Sequence, residues 1–223
     1  MYRLIHLFRT SIGRKLMMAL TGLILLLFIV GHLAGNMTIF VGAPILNSYA
    51  HWLQHSVMLW PFRIVMLLVV GLHIVMGIEL ARENRHSASN GSRFPSWFTR
   101  HILNHHMLWS GLAGLLFILF HVAHLTLGVG ADASFYQLDS NQMMDVYLRV
   151  VEGFLNPWIS LSYVVLLLLV GLHLLQVVRG LFRTLGFYHE NYQQLLDRLA
   201  WGVSGGITAG FLSIPVAVWV GAV

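Results

Sequence analysis

The sequence predicts an all-α integral membrane protein whose helices form one transmembrane bundle. Hydrophobic residues make up 57% of the 223 residues, charged residues make up only 9%, and the mean hydropathy is +0.75. A soluble domain usually carries about 25% charged residues. Five apolar runs each approach the ~20 residues that a helix needs to cross a bilayer. Helices are expected because lipid offers backbone polar groups no hydrogen-bond partner outside the chain.

We expect the five membrane-spanning helices to form a single domain over residues 1–223. Their predicted ranges are about 16–41, 59–81, 105–129, 157–182 and 199–222. The segment before the first span is polar and basic, and no small-residue cleavage site follows that span. The first span is therefore expected to be a retained anchor and not a cleaved signal peptide.

Two shorter features accompany the spans. Apolar residues in the connection 131–156 predict a short amphipathic helix on the membrane surface. Pro157 predicts the start of the fourth span, because proline suits the first helical turn. In the fifth span Gly202, Gly206 and Gly210 recur every fourth residue, so we expect this helix to pack closely on a neighbour.

The distribution of positive charge predicts the orientation in the membrane. Most Lys and Arg residues fall in alternate connections: Arg3, Arg9, Arg14, Lys15, Arg82, Arg85, Arg93, Arg100, Arg179, Arg183 and Arg198. The other connections hold only Arg63 and Arg149. The positive-inside rule then places the N-terminus in the cytoplasm and the C-terminus outside, in a bacterial-type cytoplasmic (inner) membrane. This topology also accounts for the net charge of +5, so no nucleic-acid partner is predicted.

Four histidines lie deep inside four of the spans, at two matched depths. His32 and His121 each lie roughly 17 residues, or ~25 Å, outward from the inner ends of the first and third spans. His73 and His173 each lie ~14 Å from the inner ends of the second and fourth spans. His32 can therefore meet His121, and His73 can meet His173, at levels roughly 10 Å apart.

This arrangement predicts two bis-histidine b-type haems. A histidine in hydrocarbon is costly, so an intramembrane histidine is a functional hypothesis by default. We predict His32 and His121 as axial ligands of an outer haem, and His73 and His173 as ligands of an inner haem. The alternative is that the histidines form hydrogen bonds between helices. The absence of cysteine excludes disulfides, thiolate haem ligation and protein-bound iron–sulfur clusters in this subunit.

Several other polar residues are candidates at the outer end. His124 competes with His121 as a ligand; if His121 is the ligand, His124 lies near a haem propionate or a quinone, or is an ordinary interfacial histidine. The candidates for binding a quinone share a position just before the second span: Asn47, Tyr49, His51, Gln54 and His55. The alternative is an ordinary polar outer loop. None of these candidates is a carboxylate.

The motifs resemble those of a known family of membrane cytochromes. They are Ser11-Ile12-Gly13-Arg14-Lys15, Thr21-Gly22, Gly31-His32-Leu33-Ala34-Gly35-Asn36, Phe120-His121-Val122-Ala123-His124, Gly171-Leu172-His173 and Leu185-Gly186. Their order over nearly the whole chain resembles the cytochrome b (b558-type) membrane-anchor subunit of succinate:quinone oxidoreductases. The similarity is to the five-helix, di-haem branch, which includes quinol:fumarate reductases.

The resemblance implies cofactors, partners and an activity. It implies two haems b with His32, His73, His121 and His173 as ligands, and a quinone substrate, menaquinone or ubiquinone. It implies a flavoprotein subunit (FAD) and an iron–sulfur subunit on the cytoplasmic face. The chain would be a non-flavin subunit of the enzyme, with no dicarboxylate site of its own. Some relatives carry an intramembrane glutamate for proton transfer; here Glu79 lies near the inner face, which puts such a route in doubt.

Two other functions remain open from the sequence. The first is a di-haem b anchor of another membrane oxidoreductase, such as a hydrogenase or a formate dehydrogenase. The second is a haem-free transporter or assembly protein, whose histidines bind no iron. The first alternative shares the electron-transfer chemistry and differs in the partner subunits, whereas the second differs in the chemistry itself.

Overall fold

The computed structural model describes residues 10–89, 97–130, 133–187 and 189–223, and their side chains except those of 84–89, 97–106 and 133–134. The described residues form these α-helices: α1 (Ser11–Asn36), α2 (Ala43–His55), α3 (Leu59–Ser89), α4 (Trp97–His121), α5 (Val146–Leu155), α6 (Pro157–Thr184) and α7 (Gln193–Trp219). This part of the chain has no β-strand, only one isolated bridge between Leu138 and Met144. The predicted all-α class is confirmed.

Five segments are long and apolar enough to cross a membrane. They are Ser11–Val41, Leu59–Glu83, Met107–Thr126, Pro157–Thr184 and Glu190–Trp219. The first includes a 3₁₀ turn after α1, and the third includes a π-helical turn after α4. The five predicted spans are thus confirmed, and the chain is a multi-pass membrane protein.

Local sequence explains where several helices begin. Thr10 accepts a hydrogen bond from the Gly13 N–H at 3.0 Å, so α1 begins a few residues earlier than predicted. Asn156 caps α6 in the same way, and Pro157 occupies its first turn as predicted. Asp145 caps α5 through the Leu148 N–H at 2.9 Å. The predicted amphipathic helix is therefore confirmed, over Val146–Leu155.

The segment before the second span is helical, which the sequence interpretation missed. Helix α2 begins after Gly42, whose φ of 120° suits glycine, and it ends at His55. The quinone candidates therefore project from a helix and not from an irregular loop. Trp52 and Trp60 are exposed at this end of the bundle, as aromatic residues at a membrane interface often are.

Helix packing places α6 at the centre of the bundle. Helix α6 packs against α7, α4 and α1, while α1 also packs against α3 and α7. Close packing of the α7 glycines is confirmed at Gly210, where an added Cβ would lie 2.9 Å from Leu33. It is wrong at Gly202 and Gly206, since a Cβ there would meet no described atom within 4 Å.

Ion pairs join the helices at the end predicted to face the cytoplasm. Arg14 of α1 pairs with Glu83 of α3, and Arg179 of α6 pairs with Asp197 of α7 at 2.9 Å. Glu79 pairs with Arg82 one turn along α3 at 2.9 Å. Arg3, Arg9 and Arg93 from the predicted basic set lie outside the described residues, and the side chains of Arg85 and Arg100 also do.

Candidate functional site

The four intramembrane histidines come together as two pairs, and the partners are those matched by depth. The ring centroids of His32 on α1 and His121 on α4 are 5.8 Å apart, with the rings at 90°. The centroids of His73 on α3 and His173 on α6 are 6.4 Å apart, with the rings at 85°. Each pair thus joins two helices that are remote in sequence.

The spacing within each pair fits a metal ion held between two imidazoles. A metal–nitrogen bond of about 2 Å on each side, with about 1 Å from each nitrogen to its ring centre, places the centroids roughly 6 Å apart. The described residues contain no group of three or more His, Cys, Asp or Glu side chains suited to a metal ion. Two histidines suffice for a haem, because the porphyrin supplies the remaining nitrogen ligands.

The outer pair differs from the inner pair in the hydrogen bonds of its rings. Nδ1 of His121 is buried and has no hydrogen-bond partner in the described part of the chain, and Nε2 of His32 accepts from Nδ2 of Asn36 at 3.3 Å. Binding of iron at Nε2 of His32 would require Asn36 to turn away. By the spacing of their rings, both pairs fit a haem, with His32 and His121, or His73 and His173, as its axial ligands.

Two buried hydroxyl groups support the inner pair. Oγ1 of Thr21 on α1 lies 3.0 Å from Nδ1 of His73, and Oγ of Ser110 on α4 lies 3.1 Å from Nδ1 of His173. Thr21 is 2% exposed and Ser110 is 8% exposed. The sequence interpretation did not single out either hydroxyl as a site residue.

The hydrogen bonds of these hydroxyls define the tautomer of the two histidines. Thr21 donates its proton to the Met17 carbonyl at 2.8 Å, and Ser110 donates to the Met107 carbonyl at 3.1 Å. A hydroxyl has one proton, so each oxygen can only accept from its histidine. His73 and His173 therefore carry the proton on Nδ1, which leaves the lone pair of Nε2 free for a metal ion.

A glycine next to each hydroxyl borders the histidine ring at ordinary van der Waals distance. A Cβ added at Gly22 would lie 3.5 Å from Cε1 of His73, and one at Gly111 would lie 3.4 Å from Cε1 of His173. Each inner histidine thus rests against a hydroxyl-glycine dipeptide of a neighbouring helix. The glycines that border the inner rings are therefore Gly22 and Gly111. They are not Gly71 and Gly171, which precede the two histidines by two residues.

An internal sequence repeat underlies this symmetry. Residues 21–32 read TGLILLLFIVGH and 110–121 read SGLAGLLFILFH, so the hydroxyl, the glycine, the Leu-Leu-Phe-Ile run and the histidine recur in register. Val-Gly-Leu-His recurs at 70–73 and 170–173. Helices α1 and α3 thus correspond to α4 and α6, and each histidine pair takes one member from each half. The first of these repeats is the signal that would have found Thr21 and Ser110.

Aromatic rings enclose the outer pair. Phe28 stacks on His32 one turn along α1, with centroids 5.5 Å apart, and Phe117 lies in the same relation to His121 at 5.6 Å. Phe211 on α7 lies 5.9 Å from His32. The outer histidines therefore lie in a largely apolar environment.

His124 occupies a different place from His121. It is buried, its Nδ1 lies 3.1 Å from the Tyr163 hydroxyl, and it belongs to the π-helical turn after α4. A Cβ added at Gly153 on α5 would lie 2.9 Å from Cε1 of His124. His124 thus joins α5 and α6 to the end of α4, while the ring of His121 faces that of His32.

The candidates for binding a quinone separate into two groups. His51 and His55, one turn apart on α2, have ring centroids 3.9 Å apart and line an open cleft of about 560 Å³. Trp52, Val57 and Met143 supply apolar walls to this cleft. Gln54 is exposed and does not line it, and Tyr49 packs its ring against Gly35 of α1.

Asn47 has a structural position. It is 1% exposed, its amide donates to Asp145 at 3.0 Å and to Asp139 at 3.4 Å, and its carbonyl accepts from the Tyr147 N–H at 2.9 Å. Asn47 therefore clamps α2 to the start of α5. The backbone N–H of Met143, with smaller contributions from other donors that include Asn47, holds the pKa of Asp139 below its usual 3.8.

No family model, curated protein or solved structure matches this chain.

Proposed function

We propose that this chain is the di-haem cytochrome b anchor of a succinate dehydrogenase or fumarate reductase complex. In this role it passes electrons between an iron–sulfur subunit and a membrane quinone. The observation that carries the proposal is the meeting of four intramembrane histidines as two pairs, 5.8 and 6.4 Å between ring centroids. The order of motifs along the chain supports the choice of family.

The roles of the chain's own residues follow from the geometry. His73 and His173 would hold the inner haem, and His32 and His121 would hold the outer haem. When bound, the haems would supply the one-electron redox chemistry. Apolar helices surround both pairs, and the roughly 10 Å between the two levels suits electron transfer across most of the membrane.

Sidedness is part of the proposal. We place the flavoprotein and iron–sulfur subunits at the end that holds the ion pairs of Arg14 and Arg179, which is the cytoplasmic face under the positive-inside rule. The chain has no cysteine, so one introduced thiol is a unique label. In sealed vesicles of native orientation, Val57→Cys should react with an impermeant reagent from outside and Phe187→Cys should not. The reverse pattern would invert the topology.

We assign quinone turnover to the cleft beside α2 at the outer end. A quinone needs an apolar slot and donors for its two carbonyls. His51 offers a ring N–H as a donor, and Trp52 and Val57 offer apolar surface. His55 lies beside His51 and donates its Nδ1–H to the His51 carbonyl at 2.9 Å. Asn47 is left out of this site because its amide groups are already engaged. Gln54 and Tyr49 are left out because neither lines the cleft.

The test is a purification of the complex followed by spectroscopy. A reduced-minus-oxidised spectrum of low-spin b haem, with two haems per chain, and a covalent flavin in the largest co-purified subunit are the expected results. Two haems without such a flavin would point to a hydrogenase or formate dehydrogenase anchor. A chain that folds and binds no haem would contradict the proposal and leave a transporter or assembly protein.

A further inference from the structure

We propose that Thr21 and Ser110 are the positioning residues of the inner histidine pair. Each would hold one imidazole through Nδ1, orient its plane and strengthen Nε2 as a ligand to iron. This inference rests on the proposed function and goes beyond it, because it assigns to two hydroxyls a control over the inner haem that the outer haem lacks.

Geometry is the first argument. Both hydroxyls are buried, both lie 3.0 to 3.1 Å from Nδ1 of an inner histidine, and both donate their one proton to a carbonyl of their own helix. Each can therefore only accept from the imidazole N–H. Metal-bound histidines usually donate their second ring N–H to such an acceptor, which fixes the tautomer and raises the basicity of the ligating nitrogen.

The internal repeat is the second, independent argument. Thr21 and Ser110 occupy the same position in the two copies, eleven residues before His32 and His121 respectively (32 − 21 = 121 − 110 = 11). Each copy of the repeat thus supplies two residues. One is a hydroxyl that contacts an inner histidine, and the other is a histidine that belongs to the outer pair. The hydroxyl-histidine contact occurs twice, in matching places, although the helices involved differ.

The outer pair supplies the contrast. Nδ1 of His121 has no partner in the described part of the chain, and the polar neighbour of His32 is Asn36, whose Nδ2 lies 3.3 Å from Nε2. Among these four histidines, the described part of the chain thus supplies an acceptor of the Nδ1–H proton only to His73 and His173. Loss of the acceptors should therefore affect the inner haem selectively.

The direction of the effect follows from the hydrogen bond. An imidazole that donates its Nδ1–H is a stronger base, and a stronger base stabilises ferric iron more than ferrous iron. Thr21→Val keeps the shape of the side chain and removes the acceptor, and Ser110→Ala removes the acceptor at the other ring. Each variant should raise the midpoint potential of the inner haem and weaken its binding, within the about 10- to 100-fold typical of such partners.

The chain contains matched controls. Thr208 on α7 donates to its own helix four residues back at 2.7 Å, as Thr21 does, and Ser213 donates three residues back at 2.6 Å, as Ser110 does. In the described residues neither hydroxyl is bonded to a histidine. Ser213→Ala therefore reports the cost of losing a helical hydroxyl as such, and Thr208→Val reports that cost at a hydroxyl that packs on Gly171 of α6. Thr21→Ser and Ser110→Thr retain the acceptor.

The experiment is an optical redox titration of both haems in the purified complex, with haem content measured on the same samples. We expect a raised potential or a lost inner haem in Thr21→Val and Ser110→Ala, an unchanged outer haem, and wild-type values in the four other variants. Unchanged inner-haem potential and content in both acceptor-free variants would overturn the inference. So would an equal shift in the controls. Two haems in the wild type with this negative result would leave the proposed function standing, whereas a haem-free wild type would overturn the proposed function itself.

Discussion

The imidazole planes of His32 and His121 are perpendicular, at an interplanar angle of 90°, and those of His73 and His173 are nearly so, at 85°. Perpendicular axial ligands interact with two different iron d-orbitals and leave them close in energy. We therefore predict highly anisotropic low-spin EPR signals for both ferric haems. A rhombic signal typical of parallel imidazole planes, from either haem of the oxidised complex, would contradict this relation.

The pairing predicts which haem each histidine variant loses. His73→Leu and His173→Leu should each remove the inner haem, and His32→Leu and His121→Leu should each remove the outer haem, because a single imidazole cannot hold the iron in a six-coordinate low-spin state. Haem content and the split of the reduced α-band measure the outcome.

His124→Gln is the control for the ligand assignment, since glutamine retains a hydrogen-bonding group opposite Tyr163. It should keep both haems. Loss of a haem from His124→Gln with retention of both in His121→Leu would transfer the ligand role to His124. Loss of the same haem from variants at His32 and His73 would contradict the pairing.

The cleft beside α2 predicts which variants impair quinone turnover. His51→Phe removes a hydrogen-bond donor that a quinone carbonyl needs, and His55→Phe removes the ring that lies 3.9 Å from His51 and holds its carbonyl, so quinone-linked activity should fall about 2- to 10-fold for each. Gln54→Ala, on the same helix and outside the cleft lining, should retain full activity. Succinate oxidation with a soluble dye should be unchanged in all three. Full quinone activity in both histidine variants would place the site elsewhere and direct the search to the inner face.

Replacement of Asn47 should lower the stability of the protein without loss of haem. Asn47→Ala leaves the half-buried Tyr147 N–H without its acceptor and removes the amide donors to Asp139 and Asp145. An unsatisfied buried group costs about 1–3 kcal/mol, so the free energy of unfolding in detergent should fall by about that amount. Gln54→Ala is again the matched control. An Asn47→Ala protein with wild-type unfolding temperature would show that the clamp contributes nothing measurable.

The two glycines of the repeated Val-Gly-Leu-His motif should differ in whether they tolerate replacement by alanine. A Cβ at Gly171 would lie 2.4 Å from Oγ1 of Thr208, so Gly171→Ala should force α6 and α7 apart and destabilise the protein by about 1–3 kcal/mol. A Cβ at Gly71 meets no described atom within 4 Å, so Gly71→Ala should be tolerated. Thermal unfolding of the two variants compares them directly, and an equal loss of stability would contradict the difference in packing.

The sequence by itself determined the five spans and the depth of each histidine. Hydropathy along the chain locates a helix in the membrane, and a rise of 1.5 Å per residue converts position into depth. Position along the chain alone therefore gives the depth in the membrane of each of the four histidines, His32, His73, His121 and His173. Pro157 likewise acts locally, and its predicted place at the start of α6 is confirmed.

Only the tertiary structure decided how the helices face one another. Hydropathy is similar all around a membrane helix, so it does not indicate which side of α1 presents Thr21 to His73, or that Gly171 and not Gly71 is crowded. The role of Asn47 depends on Tyr147, which lies 100 residues away in the chain. Such contacts depend on the rotation of each helix about its axis and on lateral packing, and local sequence specifies neither.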